Sequence, residues 1–242
     1  MEESVNIYTN EQYATLHKDW HIEDTNAKVM DMSVFSPSIL SAVNKPEFNI
    51  ADVGCGLGGV LHGMIKDLSR QPGVKVTGAA FEISEYAATT GKQMFPELNW
   101  INRQLLETDG PYDVIMFIDV FEHLENPWEM LRLASKVAKF MLIRQPLLDN
   151  YSNFRTNNYK HQRDHWGHIS FFNERSFIDM AKATGWSQFD TRLLASWELN
   201  TQEKDMNVPI WKRVLLKKYR TPLSYLISGF YLNGLFKSDN FS

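Results

Sequence analysis

A single cysteine, Cys55, in 242 residues has no partner within the chain, so an internal disulfide is excluded and no cysteine-rich zinc site is available. Twenty-five lysines and arginines stand against 29 aspartates and glutamates, and a net charge of -4 provides no overall attraction to a phosphate backbone. No nucleic-acid partner is expected. Long apolar runs are missing too: the stretch from Leu223 to Phe236 is broken by Ser228, Gly229, Asn233 and Gly234, well short of the roughly 20 residues a membrane-spanning helix needs. The first ten residues carry Glu2 and Glu3 where a secretory leader carries basic residues, and no apolar segment follows. With the lone cysteine, these absences predict a cytoplasmic protein. Repeats and low-complexity tracts are also lacking.

The composition, 43% hydrophobic and 22% charged, supports one globular core, and the length suits a single generous domain. Strand-like and helix-like segments alternate through the middle of the chain, which predicts an α/β fold with a doubly wound, mostly parallel sheet. Phe48 to Val53 reads as the first strand. It runs into glycines and then a helical repeat of Val60, Leu61, Met64, Ile65 and Leu68. Val74 to Phe81 is the second strand, and Ser84 caps the following helix. Trp100 to Leu105 is a weaker third, and Tyr112 to Val120 is a fourth, apolar from Val114 to Ile118 and closed by Asp119, that predicts a central place. Asn126-Pro127-Trp128-Glu129 combines an N-cap, a first-turn proline and an acid at N3, a strong helix start. Phe140 to Ile143 is a fifth strand. A helix capped by Asn173 and stopped at Gly185 leads to a sixth at Ser187 to Glu198.

Three segments stand outside this domain of residues 47–199 or interrupt it. Residues 1–46 predict an N-terminal helical cover, 146–168 an aperiodic lid insertion, and 200–242 a C-terminal helical extension.

Gly54, Gly56 and Gly59 satisfy the dinucleotide pattern G-x-G-x-x-G, with the required strand before and helix after. Asp52 decides against a pyrophosphate. A carboxylate two positions before the first glycine repels an anionic ligand, whereas the ammonium of S-adenosyl-L-methionine is attracted to it. An NAD(P)-dependent oxidoreductase is the competing reading of the same glycines.

Asp52, Gly54, Gly56 and Gly58 together resemble the first motif, acidic-x-G-x-G-x-G, of the class I S-adenosylmethionine-dependent methyltransferases, a Rossmann-like family. Asp119-Val120-Phe121-Glu122-His123-Leu124-Glu125-Asn126-Pro127 is similar to the fourth-strand region of its small-molecule members, and His168-Ile169-Ser170-Phe171-Phe172 to their His-x-x-Phe-Phe segment. The resemblance covers about Phe48 to Phe189. It implies an enzyme with S-adenosyl-L-methionine as cofactor, and it implies that Glu82, ending the second strand, holds the ribose hydroxyls. Where the family often places an acid near the adenine, this chain has Asn102-Arg103-Gln104, which leaves Gln104 as the candidate. Asp119 has two readings, a contact to the methionine end of the cofactor or a cap for the loop after its strand. Family members usually close the sheet with a seventh, antiparallel strand, and none is evident before the chain reaches Ser242.

Methyl transfer is an in-line displacement, so the protein aligns the acceptor and removes a proton when the acceptor is a hydroxyl. His123, just beyond the fourth strand, is the first candidate base, and His165 and His168 compete with it. His161, His165 and His168 have a spacing that offers metal ligands from a helix, but Gly167 and its polar neighbours argue against a helix there, and no metal is expected. The expected substrate is a small molecule or sugar, methylated on oxygen rather than nitrogen. A non-catalytic subunit that kept the cofactor pocket is a third reading. Tyr8, Tyr13, Trp20 and His21 resemble a cover over the cofactor, or the packed face of a helix. In the tail, Lys212, Arg213, Lys217, Lys218 and Arg220 precede Tyr225, Leu226, Phe230, Tyr231, Leu235 and Phe236, a pattern suited to packing on the domain, to a homodimer contact or to a membrane surface.

Overall fold

A computed structural model describes residues 24–199 and 210–241. Its centre is a seven-stranded sheet in the order β3-β2-β1-β4-β5-β7-β6. The strands are β1 (Glu47–Val53), β2 (Lys75–Phe81), β3 (Asn99–Ile101), β4 (Tyr112–Ile118), β5 (Ala138–Leu147), β6 (Trp186–Ala195) and β7 (Phe230–Ser238). β1 to β5 run parallel, and β7 lies antiparallel to both β5 and β6. The doubly wound, mostly parallel sheet expected from the sequence is present.

Period-two alternation divides β4 between two cores. Val114, Met116 and Ile118 face the side covered by α1 (Thr25–Ser33), α2 (Ser36–Val43) and α3 (Gly59–Leu68), which contribute Met32, Ile39, Leu61, Met64 and Leu68, with Phe35 from the turn between α1 and α2. Ile115 and Phe117 face the other side, under α5 (Pro127–Val137) and α8 (Glu174–Ala183) with Leu131, Ala134, Phe177 and Met180. Because both faces are buried, the strand is apolar from Val114 to Ile118 rather than alternating. The remaining crossover helix, α4 (Glu85–Met94), joins β2 to β3 and is capped by Ser84 as expected. The cap before α5 is also as read, with the Asn126 side chain accepting from the Glu129 amide and Pro127 in the first turn.

Four differences from the sequence expectations have physical causes. β3 ends at Ile101 instead of continuing to Leu105, because Arg103 turns back onto the Ile101 carbonyl and pairs with Asp109. The insertion is helical rather than aperiodic. β5 reaches Leu147, Asn150 caps α6 (Tyr151–Thr156), and α7 (Tyr159–Trp166) follows, each helix closed by a left-handed residue, Asn157 and Gly167. No residue of α7 is buried, so no apolar periodicity marks it in the sequence.

The tail holds as helix over α9 (Ile210–Leu226) and then becomes strand, which supplies the seventh strand that was not evident. Phe230, Leu232, Leu235 and Phe236 are interior to the sheet and cannot face a membrane surface or a second subunit. No helix among the described residues is long and apolar enough to cross a membrane. The expectations for Tyr8, Tyr13, Trp20 and His21 lie outside the described residues.

Leu235→Ala tests the place of the strand. The side chain is fully buried, and its truncation should cost about 2–5 kcal/mol in urea unfolding. A loss below about 1 kcal/mol would contradict the interior position of β7.

Candidate active site

β1 delivers Asp52, buried to 2% exposure, to the C-terminal edge of the sheet. The chain then turns through Gly54, Gly56 and Gly58, all left-handed with φ of 72°, 56° and 79°. At Gly58 an added Cβ would lie 2.8 Å from the Trp100 ring, so a side chain is excluded both by conformation and by space. Glu82, at the end of β2, braces the loop: Oε2 accepts from the Gly56 amide at 2.8 Å and Oε1 from the Ser84 amide at 2.8 Å. Asn102 donates to the Glu82 carbonyl at 2.8 Å and ties the exit of β3 to that of β2, a contact the sequence reading did not anticipate. Gln104 is exposed on the next loop and stands apart from this cluster.

Two carboxyls therefore share a dry cradle. Burial, and then the neighbouring Glu82 charge, push the Asp52 carboxyl up to about 8, although Lys28 works in the opposite direction. Its Oδ1 is buried without a hydrogen-bond partner. Burial also raises Glu82, against the amides of Ser84 and Gly56. A cradle with an unsatisfied acid, left-handed glycines and a two-oxygen acceptor suits a ligand that carries an ammonium group and a vicinal diol.

Asp119, directly after β4, has a left-handed backbone with φ of 57°. Its carboxylate pairs with the Arg144 guanidinium from β5 and, at 3.1 Å, with Lys28 from α1, which also pairs with Asp24 at 3.0 Å. Burial alone would raise Asp119, but the Arg144 and Lys28 charges prevail and hold it below the usual carboxylate range. Its side chain is thus engaged in a buried ionic cluster rather than in capping its loop. Lys28 and Arg144 escaped the sequence reading, although a charged residue inside the apolar run of β5 and the i,i+4 spacing of Asp24 and Lys28 were signals for both.

His123 closes a 3₁₀ turn, Phe121–His123. Its Nδ1 lies 3.2 Å from the Gly167 carbonyl, and its Nε2 lies 3.9 Å from Glu122 Oε1. His168 approaches from the end of the lid, with ring centroids 4.8 Å apart and its Nδ1 2.9 Å from Gln162 Oε1. The Ile169 and Ser170 amides donate to the Glu122 carbonyl at 2.8 and 3.0 Å, which locks the returning lid onto the turn. Burial, and then repulsion from His123, push His168 down to about 3, so it is neutral at physiological pH.

The structure therefore brings His123 and His168 together and adds Glu122, which was missed. His165 does not join them. It is exposed on α7, stacked on His161 at 5.1 Å and set against Trp166 at 4.5 Å, because the helix aligns positions 161 and 165 while Gly167 redirects the chain before His168.

A family model described as "Methyltransferase domain" matches residues 31–188. The chain belongs to this methyltransferase family. The mitochondrial ubiquinone biosynthesis O-methyltransferase of Saccharomyces cerevisiae is 28% identical over 91 residues, which cover 36% of this chain and 29% of the yeast protein. The ubiquinone biosynthesis O-methyltransferase of Vibrio parahaemolyticus is 26% identical over 91 residues, covering 37% and 39%. The alignments thus span well under half of either relative. Among solved structures, the magnesium protoporphyrin IX methyltransferase of Synechocystis with bound SAH superposes with a TM-score of 0.62 at 12% identity, over 96% of this chain and 97% of the other. That likeness is one of fold. Members of this family take their methyl group from S-adenosylmethionine, a ligand that the unpartnered Asp52 oxygen and the glycine cradle fit, and the dehydrogenase reading is set aside.

The buried Asp52 carboxyl has a measurable signature. Its folded-state value near 8 exceeds the unfolded value of about 3.9, so the native state binds the extra proton between them and stability falls as pH rises from about 4 to about 8. Asp52→Asn should flatten that decline in thermal unfolding of the ligand-free protein. An identical slope in variant and wild type would show that Asp52 ionises normally.

Proposed function

We propose that this enzyme methylates a hydroxyl oxygen of a small molecule or sugar. S-adenosylmethionine lies in the cradle of Asp52, Gly54, Gly56, Gly58 and Glu82, with its ammonium toward Asp52 and its ribose hydroxyls toward Glu82. The cofactor supplies an electrophilic methyl group on a sulfonium. The protein's own work is to align the acceptor and free its oxygen lone pair. Asp119 acts on the methionine end of the cofactor through the Lys28–Arg144 cluster, and Gln104 is the side chain nearest in sequence to where the adenine is expected.

The observation that carries the reading is the His123–His168 pair at the edge of the sheet where parallel α/β folds bind ligands. Both rings are anchored through Nδ1 on oxygen atoms that accept hydrogen bonds, so each Nε2 carries a lone pair. In such a pair the neutral His168 accepts a hydrogen bond that orients the acceptor hydroxyl, and His123 receives its proton as the oxygen attacks. A neutral amine already has its lone pair and needs no such group. Two relatives whose names identify them as O-methyltransferases agree with oxygen as the target. His165, on the lid, belongs to the surface over which an acceptor enters.

Three experiments test this. His123→Ala should lower turnover about 100-fold or more while S-adenosylhomocysteine affinity in calorimetry stays within about twofold. Asp52→Asn should do the reverse, weakening that affinity about tenfold, or 1.4 kcal/mol. Offered phenols, sugars and amines with S-adenosylmethionine, the wild type should methylate a hydroxyl compound. Methylation confined to amines would overturn the oxygen assignment.

A further inference from the structure

We infer that Glu122, His123 and His168 form a site for a divalent first-row cation, with Zn²⁺ the best match to two imidazoles and a carboxylate. One ligand atom from each of the three lies within 4.8 Å of the others, with 3.9 Å between His123 Nε2 and Glu122 Oε1. Zinc holds such ligands at about 2.1 Å, roughly 3.3 Å from one another, so side-chain rotations that close the cluster by about 1.5 Å complete the geometry.

Three independent features point to a cation. Both histidines spend Nδ1 on an oxygen acceptor, Gly167 O for His123 and Gln162 Oε1 for His168, which fixes the tautomer that presents Nε2. Ligating histidines commonly have this outer contact. Glu122 is 1% exposed and neither of its oxygens makes a well-formed hydrogen bond, only Gln145 and its own amide approaching weakly, a setting in which a carboxylate requires a positive charge or a proton. The nearby Arg144 is already paired with Asp119, so the fixed charges do not supply it. The backbone also brings the ligands together deliberately, since the amides that follow His168 bond to the carbonyl of Glu122 itself.

The inference rests on the reading that the acceptor hydroxyl reaches this cluster. Three protein ligands leave a coordination position open, and a hydroxyl oxygen bound there has its pKa lowered and loses its proton to water. The oxygen–carbon bond then forms as the sulfur–carbon bond breaks, and S-adenosylhomocysteine departs. With the cation in place the imidazoles act as ligands and the cation does the activating.

The test is calorimetric titration of ZnCl₂ into the chelator-treated chain. One site per chain, weakened at least about tenfold in both Glu122→Gln and His168→Ala and unchanged in His165→Ala, is the expected result. S-adenosylhomocysteine affinity serves as the control for folding and should stay within about twofold in every variant. Absence of a one-to-one site overturns the proposal. In that case Glu122 is a neutral acid donating to Gln145 Oε1, which itself lacks a partner. Zinc lost in His161→Ala and His165→Ala but kept in Glu122→Gln also overturns it, by moving the metal to the lid. Full turnover by the metal-free wild type, with His123→Ala still impaired, overturns the cation alone and leaves the acceptor site standing. A zinc site present in a chain that methylates only amines upholds the metal and overturns the reading beneath it.

Discussion

Asp119 gathers two cations out of water at the C-terminal edge of the sheet, and much of the site takes its position from that cluster. Arg144 belongs to β5, Lys28 to α1, and the carboxylate to the turn after β4. Three segments far apart in sequence are therefore fixed by one buried acid. A pair of this kind adds little net stability over well-packed apolar groups, while loss of one member strands a buried charge at about 3–5 kcal/mol. Its contribution is one of specification. The left-handed backbone of Asp119 directs the next residues away from the strand axis, so Glu122 and His123 arrive at the lid while Asp119 stays beneath. The Arg144 guanidinium also lies 4.4 Å from the Tyr231 ring centroid, which extends the same constraint to β7.

The glycine loop and the histidine cluster use opposite electrostatics a short distance apart along the edge. Asp52 and Glu82 are held close in a dry cradle where neither ionises freely, and a ligand ammonium relieves that tension. At the histidines, burial works against positive charge on the imidazole and keeps His168 a neutral lone-pair donor. Under the proposed function, this difference separates cofactor binding at the glycine loop from acceptor chemistry at the histidines.

How much of this was legible depends on where the apolar residues go. β4 was evident because Val114 to Ile118 has no polar interruption, and α5 because its cap, its proline and its buried stripe agree. The motif Asp52-Val53-Gly54-Cys55-Gly56-Leu57-Gly58 specified a turn whose three glycines are all left-handed, as found. α7 left no trace because it buries nothing, and its polar residues read as loop. β7 was obscured for the converse reason: buried on both faces, Phe230 to Phe236 shows no alternation, and Asn233-Gly234 looks like a break. Glu122 was quoted as part of a motif yet given no role, since only the fold shows that its carboxyl is enclosed.

The order of strands also governs how the protein is made. Among the described residues β6 hydrogen-bonds to no strand but β7, and β7 is the last element described, so residues 186–195 leave the ribosome before the segment that joins them to β5. Until residues 230–238 emerge, the nascent sheet presents two open rims, the outer side of β5 and all of β6, each a template for pairing with another chain. A translation product that stops short of residue 230 would hold a complete cofactor loop and still be prone to aggregate.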